Sequence, residues 1–192
     1  MSFDPGESRP EVERWLRERA AAAPQAPIRY ELLDGDRVAL TPVTEAHAAC
    51  TTRLAGLLTG ALGDQVVVSV QNPVRLDDHS QPCPDLAVLE PRTNGYEGAF
   101  ATPDDIRLLI EVSDTTFSLT HDRGRKAAYY ARCGIAECWI VDLMGGQVLV
   151  HRSPASGGYR EIRNLRGGSS LTAKNLPGFR VAVSSILGRE EG

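Results

Sequence analysis

The stretch Ile106-Arg107-Leu108-Leu109-Ile110-Glu111-Val112 constrains this chain more than any other. A run this short and this apolar suits a central strand covered on both faces, so the chain needs one layer above it and one below. The run closes on Glu111, and a carboxylate at the end of a buried strand needs a partner, because burying a bare charge is costly. Glu111 is therefore a candidate functional residue.

The flanking pattern supplies the layers. Pro10 to Ala23 reads as an amphipathic helix, ended by Pro24 and Pro27. Ile28 to Leu33, the turn dipeptide Asp34-Gly35 and Arg37 to Thr41 read as a hairpin. Thr44 to Leu62 predicts a second helix with its stripe at Ala46, Cys50, Leu54, Leu57, Leu58 and Ala61, stopped by Gly63. Strands follow at Gln65 to Val70 and Pro84 to Leu89, with Val74 to Asp77 extending the first after a bend. Pro91 to Pro103 is a loop rich in Gly, Pro and Asn.

His121 to Arg132 predicts a third helix, closed by Gly134. Ala136 to Leu143 is another buried strand, and Val148 to Arg152 returns after a Gly-Gly turn. Short edge strands are expected at Tyr159 to Arg163 and Phe179 to Val183, with a terminal turn at Ser184 to Leu187. The sum is an α/β fold: a mixed β-sheet flanked by helices, with an N-terminal helix and a β-hairpin. The expected organisation is a leading helix and linker over residues 1–27 and one domain over 28–192.

Several function classes are excluded by what the sequence lacks. There is no GxGxxG, GxxxxGK, HExxH or GxSxG. No apolar stretch approaches the roughly 20 residues that span a bilayer. The first residues lack a basic and an apolar region of signal-peptide type, so a cytoplasmic protein is expected. The four cysteines show no CxxC spacing, which points to reduced, partly buried thiols. The net charge of −4 argues against non-specific coating of nucleic acid. Carboxylates that hold metal ions would themselves add such negative charge.

The chemistry lies in acids at strand ends. Asp85 follows Pro84 at the start of one strand, and Glu111 closes the next. Two adjacent strands joined by one loop can bring both carboxylates to one end of a sheet. Two close carboxylates repel, and a divalent cation relieves that repulsion. Oxygen-only ligands favour Mg²⁺ or Mn²⁺. Lys126 lies on the following helix, and its long stem could reach the same place.

An ordered series of segments carries a resemblance. It runs through Tyr30-Glu31-Leu32-Leu33-Asp34-Gly35, Val74-Arg75-Leu76-Asp77-Asp78 and Pro84-Asp85-Leu86-Ala87-Val88. It continues through Leu109-Ile110-Glu111-Val112-Ser113, Asp122-Arg123-Gly124-Arg125-Lys126 and Tyr129-Tyr130-Ala131. Gly134-Ile135-Ala136-Glu137-Cys138-Trp139-Ile140-Val141-Asp142 and Leu176-Pro177-Gly178 complete it. With these the chain resembles the Uma-type family, a group of putative restriction endonucleases within the PD-(D/E)XK nuclease superfamily.

The resemblance implies a restriction-endonuclease-like fold and hydrolysis of DNA phosphodiester bonds by a Mg²⁺- or Mn²⁺-activated water, leaving a 5′-phosphate and a 3′-hydroxyl. It implies Asp85 and Glu111 as metal ligands, the Val112 carbonyl as a third, and Lys126 as the catalytic lysine. In the superfamily's usual pattern that lysine follows the second acid by two residues. Here that position is Ser113, and the lysine is expected on the next helix. Cys83 and His121 stand where an acid or Gln, and a Tyr, are more usual, which bears on metal affinity and substrate approach. Cutting both strands of a duplex calls for two sites, so a homodimer is expected.

Other residues carry competing readings. Asp122 and Lys126, four apart with the acid first, form a favourable surface ion pair on a helix; for Asp122 that role, or one at the helix N-terminus, is expected. His47 reads as a water or phosphate contact by resemblance, or as a surface or capping histidine. Glu31 and Asp34 read as hairpin residues, with Glu31 a further candidate acid near the metal. Trp139, Tyr129 and Tyr130 read as core, while Arg123 and Arg125 could touch phosphate or stay solvated. Two other functions remain open from sequence: a nuclease-like binding or interaction module, and a phosphodiesterase of RNA or small nucleotides.

Overall fold

The computed structural model describes residues 30–40 and 42–188. The helix expected over Pro10 to Ala23 lies outside them. The described chain begins with the hairpin of β1 (Tyr30–Leu33) and β2 (Asp36–Ala39), paired antiparallel. Its turn needs two residues with positive φ, and Asp34 (57°) and Gly35 (80°) adopt them, the geometry that matches strand twist in a tight hairpin.

Helix α1 (Glu45–Leu62) follows, capped by the Thr44 side chain, which accepts from the His47 backbone N–H, and ended by Gly63 at φ 50°. Its buried face is His47, Cys50, Thr51, Leu54, Leu58 and Leu62. The expected stripe was right at Cys50, Leu54 and Leu58. It was wrong at Ala46 and Ala61, which are exposed. Hydropathy alone discounted His47 and Thr51, the polar residues that this face carries inward.

Six strands form the main sheet in the order β3-β4-β5-β6-β7-β8. They are β3 (Val67–Val70), β4 (Leu86–Leu89), β5 (Ile106–Ser113), β6 (Glu137–Asp142), β7 (Gln147–Ala155) and β8 (Gly158–Arg166). Neighbours pair antiparallel except β5 and β6, which are parallel. A parallel pair needs a crossover, and helices supply it: α2 (Thr116–His121), a π-helical turn (Asp122–Lys126) and α3 (Ala127–Arg132). A second small hairpin, β9 (Ser170–Thr172) with β10 (Arg180–Ala182), precedes the short α4 (Val183–Leu187).

Several expected elements shift. Val74 to Asp77 makes only isolated bridges, Val74 to Ala101 and Asp77 to Ser80, rather than a strand, because Asp77 turns to accept from the His79 backbone. The crossover helix starts at Thr116 rather than His121, since Thr115 caps it by accepting from Ser118 N–H. The strand expected over Tyr159 to Arg163 runs the full length of its neighbour as β8.

The central strand is covered on both faces, as its composition requires. Leu108, Ile110 and Val112 pack with α1 and the C-terminal segment in one core. Leu109 looks the other way, into the core that holds Leu33, Ala127, Tyr130 and Ile140. Side chains alternate along a strand, so Glu111 shares the face of Leu109 and points between the hairpin and the crossover helix.

The loop ahead of β5 is closed by Asp105, which accepts from Thr102 N–H (2.8 Å) and hydroxyl (2.9 Å) and pairs with Arg92. Burial opposes its ionisation, but these donors outweigh burial and hold its carboxyl below the ordinary carboxylate value. A depressed folded-state value gives stability that is present above the unfolded value and lost as pH falls through the folded one. Asp105→Asn should therefore be less stable than wild type in urea at pH 7. The gap should close as both are titrated below the unfolded value of about 3.9; a gap independent of pH would refute this account.

Candidate active site

The site forms where β4 begins and β5 ends. Asp85 stands one residue before β4, and the pairing of Leu86 with Ile110 places it beside Glu111. Its Oδ2 accepts the Val112 backbone N–H at 2.8 Å. Its Oδ1 meets His47 Nε2 at 3.0 Å and Gln71 Nε2 at 3.4 Å. The N-terminal turn of α1 supplies His47. Burial lowers its basicity, but the Asp85 carboxylate overcomes this and holds the imidazole above its ordinary value. His47 is buried against Asp85 rather than lying on the surface, and its backbone N–H also meets the helix cap.

Lys126 is the centre of the arrangement. It is only 4% exposed, Glu111 2% and Glu31 3%. Its Nζ lies 3.1 Å from Glu111 Oε1 and 3.1 Å from Glu31 Oε2. Burial disfavours the ammonium, but Glu111, Glu31, Asp122 and Asp85 outweigh it, and Lys126 is held charged well above its ordinary range. Glu111 is pushed up chiefly by burial and further by Asp122, Asp85 and Glu31, against the pull of Lys126.

Two expectations change here. Asp122 and Lys126 are not a surface pair. Both are buried, Lys126 turns to Glu31 and Glu111, and Asp122 accepts the Ser113 hydroxyl at 2.8 Å. The π turn between them replaces ordinary helical spacing with a wider turn, so the (i, i+4) geometry behind the pairing expectation does not hold. Glu31 is more than a hairpin residue. It accepts from Cys83 N–H, pairs with Lys126, and keeps Oε1 buried without a partner. Asp34 stays with the hairpin, paired with Arg132.

Tyr130 and Gln71 were not singled out for the site by sequence reasoning. The Tyr130 hydroxyl donates to Glu111 Oε1 at 2.5 Å, with the ring fully buried. Its signal was its place four residues beyond Lys126, one turn along α3. Gln71 is held at φ 51°, with its N–H on the Asp85 carbonyl. Such strain collects at functional sites, and no local pattern announced it. Arg125 pairs with Asp36, while Arg123 is exposed.

The donor set consists of hard carboxylate oxygens, which suits Mg²⁺ or Mn²⁺. The partnerless Glu31 Oε1 fits the same use. As the side chains stand, no three His, Cys, Asp or Glu among the described residues are gathered to hold a metal ion. The Lys126 ammonium serves as their counter-charge. Glu137 is a useful contrast. It is equally buried, but its oxygens are taken by Trp139 Nε1, Arg152 and Lys174 N–H, so it ties the C-terminal hairpin to β6.

Among the described residues no helix is long and apolar enough to cross a membrane. A family model described as "Uma2: Putative restriction endonuclease" matches residues 11–184. The fold is similar to a crystal structure of a putative nuclease belonging to DUF820 from Anabaena variabilis ATCC 29413. That similarity has a TM-score of 0.68 at 12% identity, covering 92% of this chain and 97% of the other. No curated protein matches the chain.

Proposed function

This chain belongs to the Uma2 family of putative restriction endonucleases, and on that premise we propose that it is a Mg²⁺- or Mn²⁺-dependent endonuclease hydrolysing DNA phosphodiester bonds. One observation carries the reading: Lys126 is buried between Glu31 and Glu111, and Asp85 stands beside Glu111 at the end of two adjacent strands. A buried ion cluster of this size is weak evidence for stability. Burial, like charges and one specific counter-charge are what functional sites use to shift pKa values.

Asp85 and Glu111 would hold the cation, with the Val112 carbonyl as a further oxygen. When bound, such an ion polarises a phosphate and lowers the pKa of a coordinated water. The protein's own groups do the rest. Lys126, dry and held charged, holds the attacking water or the charge that develops on phosphorus-bound oxygen. The Val112 N–H and His47 fix the two Asp85 oxygens, so that carboxylate is oriented before substrate arrives. Glu31 keeps the ammonium in place. The products would be a 5′-phosphate and a 3′-hydroxyl, and a homodimer would cut both strands of a duplex. A leading segment, 1–27, and a nuclease-like domain, 28–192, belong to the same proposal, as does a cytoplasmic location.

Supercoiled plasmid, single-stranded DNA and RNA, each incubated with Mg²⁺, Mn²⁺ or EDTA, test the reading. Nicking of DNA is expected with either metal and none with EDTA, and saturating Mn²⁺ should raise the melting temperature by selective binding to the folded state. Cleavage of RNA alone would move the substrate. Cleavage undiminished by EDTA would end the metal dependence. No cleavage together with no effect of Mn²⁺ on melting would leave a binding module.

A further inference from the structure

The two groups that meet Glu111 converge on one of its oxygens. Lys126 Nζ lies 3.1 Å from Oε1, and the Tyr130 hydroxyl donates to that same Oε1 at 2.5 Å. Neither contact uses Oε2. Tyr130 is fully buried and Glu111 nearly so, so both side chains have little freedom to choose another arrangement.

The crossover helix builds this clamp. Asp122, Lys126 and Tyr130 are all buried along it, the first two at the ends of the π turn and the third within α3. Asp122 takes the Ser113 hydroxyl, while Lys126 and Tyr130 take Glu111. Ser113 and Glu111 are two residues apart on one strand and therefore share a face. The π turn at Asp122–Lys126 sets the helical offset between the first contact and the other two.

We propose that Tyr130 is a positioning residue: it pins Glu111 Oε1 beside Lys126 and thereby presents Oε2 to the catalytic cation. This rests on the metal-dependent reading above and adds a residue to it. Without the hydroxyl, the Glu111 carboxylate can turn and give both oxygens to Lys126. The cation then competes with the ammonium for the carboxylate. Outer-shell partners that orient a metal-binding group are typically worth 10–100-fold in metal affinity or activity, and a loss of that size is expected here.

The neighbouring tyrosine supplies the control. Tyr129 is also buried, and its hydroxyl hydrogen-bonds Asp77, on a group outside the cluster. Tyr130→Phe removes a fully buried hydroxyl and Tyr129→Phe a part-buried one, each of which donates to a carboxylate, so both should lower the melting temperature, Tyr130→Phe the more. Mn²⁺ titration of the metal-free protein by calorimetry separates them. Tyr130→Phe should bind Mn²⁺ about 10–100-fold more weakly, while Tyr129→Phe binds as wild type does. Equal Mn²⁺ affinity in Tyr130→Phe and wild type would overturn the positioning role and leave the metal reading intact. Equal weakening in both variants would overturn it too, since general loosening would then account for the loss. Absence of Mn²⁺ binding to wild type would remove the metal reading itself, and this inference with it.

Discussion

Lys126→Met should unfold at a much lower urea concentration than wild type, losing on the order of 3–5 kcal/mol, the usual result of removing one partner from a buried ion pair. The cause is local. The ammonium is the counter-charge of Glu31 and Glu111, which are 3% and 2% exposed. Methionine fills the stem's volume and leaves two acids facing each other in a dry site. Burial already pushes the Glu111 carboxyl upward, and losing the lysine's pull makes it take up a proton more readily still. The penalty should therefore shrink as pH falls toward the range where carboxyls protonate. Lys126→Arg should not restore wild-type behaviour, because a planar fork does not fit the place of a compact ammonium. DNA cleavage should be lost in both variants. Wild-type stability of Lys126→Met at neutral pH would show that the ammonium is not what balances the cluster.

Asp85→Ala should separate activity from stability. Its carboxylate orients His47 and fixes the Val112 N–H, and under the proposed function it is a metal ligand. Cleavage should fall by at least the ~10²–10³-fold typical of losing one preorganised electrostatic contact. Stability should fall by less than in Lys126→Met, because opposing effects meet. Leaving the Val112 N–H without its partner costs roughly 1–3 kcal/mol, and His47 loses its counter-charge as well. Removing one negative charge relieves Glu111, whose carboxyl the Asp85 charge helps to push up. Plasmid nicking and urea denaturation on the same preparation check both halves. Unchanged cleavage would remove Asp85 from the chemistry. A loss of stability as large as that of Lys126→Met would mean its role is chiefly structural.

Local pattern was enough to read the layers and to name the candidate acids. An apolar run at Ile106 to Val112 can only be stable with both faces covered, and the structure covers both. Asp34-Gly35 and the spacing of Cys50, Leu54 and Leu58 are local signals, and each appears as read. Asp85, Glu111 and Lys126 were legible because each is a polar residue at a place where local pattern or family resemblance requires a reason. Tertiary structure alone decided who meets whom. Glu31 comes from the hairpin, His47 from the start of α1 and Tyr130 from α3, and they converge across separations that no local periodicity encodes. The Asp122 reading failed for the same reason: four-residue spacing implies a pair on a regular helix, and the π turn, which puts Lys126 onto Glu31 and Glu111 and leaves Asp122 to Ser113, is set by packing against β5. Periodicity reports whether a residue is buried; the partner it finds there depends on the register of elements far apart in the chain.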